Sequence, residues 1–281
     1  MRIIYLGTPE FAVAPLDHLV NNGYQVVAVV TAPDKPAGRG KKLTPPPVKV
    51  YAESRKIPVL QPPKLKDEEF LDAIHSLKPD IQVVVAFRMM PKELWSIPEK
   101  GTFNLHASLL PQYRGAAPIN WVLINGEAET GLTTFFIDEK IDTGEIIFRE
   151  KVQIGENETA GDLHDRMMVK GSELVLKTVQ AIEEGTVTTQ PQPELEKGQK
   201  ELKAAPKIYK DDRKIDWTKP AKNIHDLIRG LSPYPAAFSF LKKEGEDKIQ
   251  VKIFKTEYEI SSQLLKPGNI STDGKNYLKI A

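Results

Sequence analysis

Short, continuous apolar runs alternate with amphipathic stretches along the first part of the chain. The runs at residues 2–6, 25–30 and 81–87 are typical of strands in a parallel sheet, because such strands are buried on both faces. Between residues 67 and 77 the apolar positions recur at helical spacing, as expected of a helix that crosses from one strand to the next. This alternation predicts an α/β fold with a doubly wound, mostly parallel sheet.

The turn after the first predicted strand narrows the choice of ligand. Gly7-Thr8-Pro9 predicts a helix start in which Thr8 is the cap and Pro9 takes the first helical position. The turn lacks the G-x-G-x-x-G pattern, whose glycines let a backbone approach a pyrophosphate. A dinucleotide-dependent dehydrogenase is therefore disfavoured.

Residues 102–106 predict a further strand that ends in polar side chains. Because side chains alternate between the two faces of a strand, Asn104 and His106 point the same way. In doubly wound sheets ligands bind beyond the carboxyl ends of the strands, where His106 would lie. An amide and an imidazole there suit a site in which a carbonyl oxygen becomes an oxyanion. The alternative is a polar strand end whose imidazole is satisfied by backbone groups.

An apolar loop follows this strand. Ser108-Leu109-Leu110-Pro111 leads into a segment of small residues that carries one cation, Arg114. Because apolar loops are costly to leave in water, we expect this loop to line a pocket.

A predicted hairpin over residues 131–152 carries a carboxylate at its turn. The motif Asp142-Thr143-Gly144 is either an ordinary turn, in which the aspartate bonds to its own backbone, or a means of delivering a carboxylate beside His106. An aspartic protease would need a second such motif, which the chain lacks.

The connection over residues 31–49 is strongly basic and long for a strand–helix loop. It carries five cations after its single acid, Asp34, and they include Lys35, Arg39, Lys41 and Lys42. Long loops tend to be functional or disordered. Two interpretations stay open, namely an arm that grips phosphates and a solvated flexible loop.

The second half of the chain predicts a smaller domain. A helix spans residues 159–185, with a start that resembles a capping box. We assign residues 1–188 to the first domain and the polar stretch 189–206 to a linker. Residues 207–281 hold one predicted helix and several short strand-like runs, which indicate a small, OB-like β-barrel. The sequence stops within a strand-like segment, so we expect this barrel to be trimmed or closed differently.

Composition excludes several classes of protein. The 281 residues are 40% hydrophobic and 27% charged, as is typical of a globular protein with about two domains. The chain has no Cys, and its other four histidines lack metal-ligand spacing, so we expect no metal and no thiolate chemistry. No apolar run approaches the roughly 20 residues that span a bilayer, and the N-terminus predicts a strand rather than a signal peptide. We therefore expect a cytoplasmic protein without membrane contact.

The charge is small in sum but unevenly spread. The formal net charge is +1. Residues 1–185 hold 21 Lys and Arg against 25 Asp and Glu, whereas residues 186–281 hold 18 against 13. A basic second part indicates a polyanionic partner.

Several motifs, which follow one another in order along the chain, together resemble those of a known family. They are Gly7-Thr8-Pro9-Glu10-Phe11-Ala12-Val13, the 33–49 loop, the stretches 104–111 and 113–119, Asp142-Thr143-Gly144, Ile215-Asp216-Trp217 and Ser232-Pro233-Tyr234-Pro235. The chain resembles the folate-dependent formyltransferase family and, within it, the enzymes that act on methionyl-tRNA. One departure is Phe87-Arg88-Met89-Met90, where many members have a Tyr-Gly-aliphatic run.

The resemblance implies a Rossmann-like formyltransferase domain that serves translation initiation. The donor would be 10-formyltetrahydrofolate, and the acceptor the α-amine of methionine on initiator methionyl-tRNA. By the same resemblance Asn104, His106 and Asp142 are catalytic, and Ser108-Leu109-Leu110-Pro111 contacts the folate. The 33–49 loop would enter the acceptor-stem groove through Lys35, Arg39, Lys41 and Lys42, and the C-terminal barrel would lie along the stem. We expect a monomer.

Three other functions stay open at this point. A formyltransferase for an amino sugar or another small amine would share the Asn, His and Asp set, but it has no use for a basic loop. A non-catalytic RNA-binding module would keep its function when His106 is replaced by Ala. A hydrolase that releases formate from the same folate would turn over without any acceptor.

Overall fold

The computed structural model describes most of the chain and divides it into two compact units. The described residues are 1–37, 42–197, 201–242, 247–261 and 266–281. The first unit comprises Met1–Gly115, Thr130–Val152 and His164–Ala204, and the second comprises Ala116–Glu129, Gln153–Leu163 and Ala205–Ala281.

A seven-stranded sheet is the centre of the first unit. The strands up to residue 153 are β1 Arg2–Gly7, β2 Gln25–Val30, β3 Lys35–Ala37, β4 Lys42–Thr44, β5 Val59–Leu60, β6 Ile81–Val85, β7 Thr102–His106, β8 Glu129–Phe136 and β9 Ile146–Gln153. Across the sheet the order is β5-β2-β1-β6-β7-β8-β9. The pairs from β5 to β7 are parallel, and β8 pairs antiparallel with β7. The predicted mostly parallel sheet is confirmed.

Helices pack on both faces of this sheet. The helices up to residue 197 are α1 Val13–Asn21, α2 Pro47–Ser54, α3 Glu68–Ser76, α4 Lys92–Trp95, α5 Pro118–Ile124, α6 Ala160–Glu184 and α7 Gln192–Glu196, of which α5 and the first residues of α6 belong to the second unit. On one face, α3 and α4 pack through Phe70 and Leu94 against strand residues that include Val84. On the other face, a Cβ at Gly171 of α6 would lie 2.8 Å from the Leu105 side chain, so glycine permits this close approach. In the described part of the chain, no helix is long and apolar enough to cross a membrane.

The turn after β1 differs from the prediction. A 3₁₀ turn at Glu10–Ala12 precedes α1, and no side chain caps either element, so Thr8 does not act as the cap. The reason is the tight packing of Ala12, whose Cβ lies only 2.7 Å from where a Cβ on Gly7 would be. The Tyr5 hydroxyl also donates to the Ala12 carbonyl at 2.7 Å. These contacts fix the turn and shift the helix start to Val13.

The basic 31–49 connection contains regular structure on both sides of residues 38–41. Strands β3 and β4 pair antiparallel, with Lys35 opposite Thr44. Helix α2 begins at Pro47, a position that suits proline because its missing N–H is not needed in the first turn. Part of the predicted loop is therefore a two-stranded ladder.

The second unit contains α5, one further helix and short strands. The further elements are α8 Ala221–Leu231, β10 Ala237–Leu241, β11 Ile249–Ile253, β12 Ile270–Thr272 and β13 Leu278–Ile280. Helix α8 packs closely on α5, where the Asn120 side chain donates to the Gly230 carbonyl at 2.7 Å. Among the described residues the four strands form two antiparallel pairs, β10 with β11 and β12 with β13. Closure of this domain into a barrel stays a prediction.

The stretch assigned to the linker, residues 189–206, folds against the first unit for most of its length. It contains α7, and residues up to Ala204 cluster with the first unit. A parallel bridge joins Ala204 to Arg114. The domain limits at 188 and 207 stay predictions.

The predicted capping box is present at the start of α6. The Thr159 amide and hydroxyl both donate to Asp162 Oδ2, at 3.0 and 2.6 Å, and the Asp162 amide donates back to the Thr159 hydroxyl at 3.2 Å. These hydrogen bonds from Thr159 lower the pKa of Asp162 below its usual 3.8. The carboxylate form therefore stabilises the helix start.

We expect Asp162→Ala to lower the free energy of unfolding by about 1 kcal/mol at pH 7, as is typical for loss of a helix cap. Because the folded-state pKa is lowered, the difference should persist down to about the unfolded pKa and vanish as the pH falls through the folded value. Urea unfolding at several pH values measures it. Glu156→Ala, the loss of an exposed acid nearby, is the control and should leave stability unchanged.

Candidate active site

Strand β7 presents Asn104 and His106 on the same face of the sheet. Asn104 pairs laterally with Val84 of β6 and Phe135 of β8, whereas Leu105 points to the opposite face, towards α6. The Asn104 side chain is half-buried, and among the described residues nothing hydrogen-bonds to it. An amide with a free donor therefore lies two residues from the imidazole, at the carboxyl end of the strand.

The His106 imidazole is buried, and its two nitrogens have different neighbours. Nε2 lies 2.8 Å from the carbonyl oxygen of Tyr113, and Nδ1 lies 3.8 Å from Asp142 Oδ2. Because a carbonyl oxygen can only accept, Nε2 carries a proton in this arrangement. Nδ1 therefore remains for proton chemistry beside the carboxylate. The Nδ1–Oδ2 separation exceeds the length of a direct hydrogen bond.

The carboxylate of Asp142 is held in place by the backbone. The Gly115 amide donates to its Oδ2 at 2.9 Å. Asp142 itself adopts φ +54°, a left-handed conformation that aspartate tolerates better than most residues. The structure thus brings His106 and Asp142 together, although 35 residues separate them in the chain.

Gly144 allows the turn after Asp142 to close. A Cβ on Gly144 would lie 1.7 Å from the carbonyl oxygen of Phe136 at the end of β8. The Thr143 hydroxyl donates to the Asp138 carboxylate at 2.8 Å, which ties the turn to the start of the same loop. The predicted hairpin turn is therefore compact, and no larger side chain fits at position 144.

Gln192 and Arg114 contact the turn that carries Asp142, and the sequence alone assigns neither of them a role. Gln192 Nε2 donates to the carbonyl oxygens of Asp142 and Gly144, at 3.0 and 2.9 Å. The Arg114 guanidinium donates to the Asp142 carbonyl at 2.9 Å, to Gln192 Oε1 and to Glu196 Oε1. No sequence signal identifies Gln192, because it lies in a polar stretch that contains several glutamines.

The Ser108–Pro111 loop is held by internal contacts. The Ser108 hydroxyl donates to the Gln112 carbonyl at 2.6 Å. The Thr133 hydroxyl donates to the Ser108 carbonyl and accepts from the Leu110 amide. The Leu110 side chain is fully buried in a small apolar cluster, whereas Leu109 is half-buried. Any ligand contact from this loop must therefore come mainly from its backbone and from Leu109.

A cavity opens at the carboxyl ends of β1, β2 and β6. Its volume is about 550 Å³, and its lining contains no acidic residue: Thr8, Pro9, Ala32, Pro33, Lys35, Pro63, Ala86 and Arg88. The Arg88 guanidinium donates to the carbonyls of Pro62 and Pro63, and burial lowers the pKa of this group. A cavity with two cations and no acid suits an anionic ligand.

The residues predicted to contact RNA are only partly described. Lys35 is exposed at the start of β3, and Lys42 begins β4. Arg39 and Lys41 lie outside the described residues. Among the described residues, no three His, Asp or Glu side chains are grouped so that they could hold a metal ion.

Comparison with known families decides the class of this protein. The sequence pattern of the formyl transferase family matches residues 1–179. The chain belongs to this family. The pattern of the formyl transferase C-terminal domain matches residues 207–281, so both formyltransferase domains are present in one chain.

Three relatives with at least 50% sequence identity carry the same name. Methionyl-tRNA formyltransferase of Bacteroides fragilis is 54% identical over 281 residues, which cover 100% of this chain and 86% of that protein. The enzymes of the same name from Bacteroides thetaiotaomicron and Flavobacterium johnsoniae are 52% and 50% identical, and the chain covers 87% of each.

Solved structures of formyltransferases share the fold. The N-formyltransferase from Helicobacter canadensis, in complex with folinic acid and dTDP-3-aminofucose, matches with a TM-score of 0.70 at 23% identity, over 99% of this chain and 94% of that one. The sugar 3N-formyl transferase WlaRD, with dTDP and 5-N-formyl-THF, gives 0.69 at 21% identity, over 100% and 93%. At this identity the likeness concerns the fold.

We expect Gly144→Ala to reduce formyltransferase activity at least tenfold and to lower the melting temperature. The added methyl group would overlap the Phe136 carbonyl, so the turn must open and Asp142 must move. Activity and thermal unfolding are measured on the same preparation. Gly155→Ala, where the nearest atom is a side-chain carbon 3.3 Å away, is the control; equal effects at both positions would contradict the assignment.

Proposed function

We propose that this protein transfers a formyl group from 10-formyltetrahydrofolate to the α-amine of methionine on initiator methionyl-tRNA. The observation that carries the proposal is 50–54% identity, over the whole chain, to proteins named methionyl-tRNA formyltransferase. The pair His106 and Asp142, beside the free amide of Asn104, supplies groups suited to this chemistry.

The reaction begins with a neutral amine. An α-amine has a pKa of about 7.7–8.0, so a useful fraction is uncharged near pH 7. Its lone pair forms the new bond to the formyl carbon, and the carbonyl electrons move to oxygen. When this tetrahedral species collapses, the bond from carbon to the folate nitrogen breaks. The amine nitrogen loses a proton and the folate nitrogen gains one, so the reaction is balanced without a metal.

Asn104 and His106 stabilise the oxyanion in this proposal. The Asn104 amide has a donor without a partner, and it projects from the same face as His106. Preorganised donors of this kind typically contribute a few kcal/mol to transition-state stabilisation. Because Tyr113 engages Nε2, the Nδ1 atom of His106 is the one that serves the reaction.

Asp142 orients the imidazole in this proposal. Its Oδ2 faces Nδ1 at 3.8 Å, and the Gly115 amide fixes the same oxygen. A water between the amine and the folate nitrogen could accept and donate the transferred proton beside this carboxylate.

The donor and the tRNA would use neighbouring surfaces of the first unit. We assign the folate to the backbone of the Ser108–Pro111 loop and to Leu109, next to the His106 strand. The cavity lined by Lys35 and Arg88 suits an anionic part of either substrate. Lys35, Arg39, Lys41 and Lys42, with the basic C-terminal domain, would meet tRNA phosphates. The monomeric state and the cytoplasmic location stay predictions.

We expect Asn104→Ala, His106→Ala and Asp142→Ala each to lower kcat by about 10²- to 10³-fold, because each removes a group that acts on the reacting atoms. Transfer of labelled formyl to charged initiator tRNA measures this, with elongator tRNA and an amino-sugar nucleotide as alternative acceptors. His75→Ala, a change at an exposed histidine on α3, should leave kcat unchanged.

The result that would overturn the function is formyl transfer to the amino-sugar nucleotide and none to methionyl-tRNA. Release of formate without any acceptor would point instead to a hydrolase. If His106→Ala binds tRNA as the parent does and loses turnover, a purely RNA-binding role is excluded.

We expect Lys35→Ala to weaken tRNA binding and to lower the steepness of its salt dependence. Each lost phosphate contact should reduce the slope of log K against log salt by about 0.7–0.9. The slope is measured by filter binding at salt concentrations from about 50 to about 200 mM, a range over which the affinity for nucleic acid changes strongly. Lys100→Ala, the loss of an exposed cation elsewhere in the first unit, is the control. Equal slopes for the parent and Lys35→Ala would exclude a phosphate contact at this position.

A further inference from the structure

Gln192 is a buried amide whose polar atoms all contact the turn that carries Asp142 or the arginine beside it. Its side chain is fully buried, at 0% exposure. Nε2 donates to two carbonyls of the turn, at 3.0 and 2.9 Å, and Oε1 accepts from both Nη2 and Nε of Arg114, at 2.5 and 3.1 Å. The orientation of the amide is unambiguous, because carbonyls can only accept and a guanidinium can only donate.

This arrangement fixes the backbone on both sides of the carboxylate. The carbonyls that Gln192 holds belong to Asp142 and Gly144, and Arg114 donates to the first of them as well. Asp142 is in a left-handed conformation, which its neighbours must maintain. With these donors removed, the turn would lose the contacts that orient Asp142 towards His106.

The polar stretch that contains Gln192 also contacts the backbone that holds His106. The Lys203 carbonyl accepts from the Tyr113 amide at 2.6 Å, and Tyr113 in turn accepts from His106 Nε2. The Gln112 side chain bonds to the backbone of Glu201 and Lys203, at 2.9 and 2.8 Å. Residues on both sides of 198–200 therefore contact segments that hold His106 and Asp142.

Neither family pattern covers residues 180–206, because the first pattern ends at residue 179 and the second begins at residue 207. We propose that Gln192 is a positioning residue: with Arg114 it holds the Asp142–Gly144 turn so that the Asp142 carboxylate faces His106. The stretch that composition assigns to a linker is thus part of the active-site framework. This inference rests on the proposed function, because it assigns Gln192 an effect on formyl transfer through Asp142.

The test replaces the side chain while keeping its volume. Gln192→Leu removes both donor and acceptor, and a misplacement of Asp142 by about 1 Å should lower kcat by about 10- to 100-fold, with the KM for tRNA and for the folate changed less than threefold. Gln192→Glu keeps an acceptor for Arg114 and loses the donor, so kcat should fall here too even if Gln192→Leu fails to fold. Gln190→Leu is the matched control, because the Gln190 side chain is exposed two residues away.

A double-mutant cycle separates positioning from general damage. In an Asp142→Asn background, a further Gln192→Leu change should lower kcat less than twofold, because the carboxylate that Gln192 positions is already gone. If the two losses multiply in full, or if both Gln192 variants match the parent, the positioning role is wrong. If the parent itself transfers no formyl to methionyl-tRNA, the proposed function fails instead, which is a distinct result.

Discussion

The approach of the Asp142 carboxylate to the His106 imidazole is the constraint on which the site depends. The side chains of Asp142 and His106 are largely removed from water, with exposures of 15% and 6%, so their polar atoms need hydrogen-bond partners within the protein. The Gly115 amide provides one of them directly. The strand end alone could not fix the geometry, because Asp142 reaches the site on a separate turn.

Backbone strain is concentrated around this pair. Of the six non-glycine residues with positive φ in the described part of the chain, Asp142 and Tyr113 contact His106, and Ala86 directly follows the strand beside it. Such conformations cost of order 1–3 kcal/mol each and persist only where surrounding contacts over-determine them. Here the contacts are those from Gln192 to the Asp142 turn and from Lys203 to Tyr113. The polar stretch after α6 therefore stabilises backbone conformations that the sheet alone would not maintain.

Local signals allowed much of the fold to be predicted from the sequence. The strand at 102–106 and the capping box at Thr159 follow from alternation and from residues three apart, which need no knowledge of distant parts of the chain. The role of Gln192 could not be predicted in this way, because its partners lie 48 and 50 residues away. The late start of α1 was missed for the same reason: it depends on how Ala12 packs against Gly7.

The polar side chains around the site are of two kinds. Some hold the protein backbone in place, and others have hydrogen-bonding groups without a partner in the described part of the protein. Ser108, Thr133 and Gln192 are buried, and their polar atoms bond to backbone groups or, for Gln192 Oε1, to the Arg114 guanidinium. None of them is therefore available to a ligand without loss of a protein contact. Asn104 differs, because it is half-buried and nothing in the described ranges bonds to its amide. Because the Asn104 side chain keeps some contact with water, it can remain without a protein partner at lower cost than a fully buried amide. In the proposed reaction its hydrogen bond to the formyl oxygen strengthens as negative charge develops, which is the differential binding that lowers a barrier.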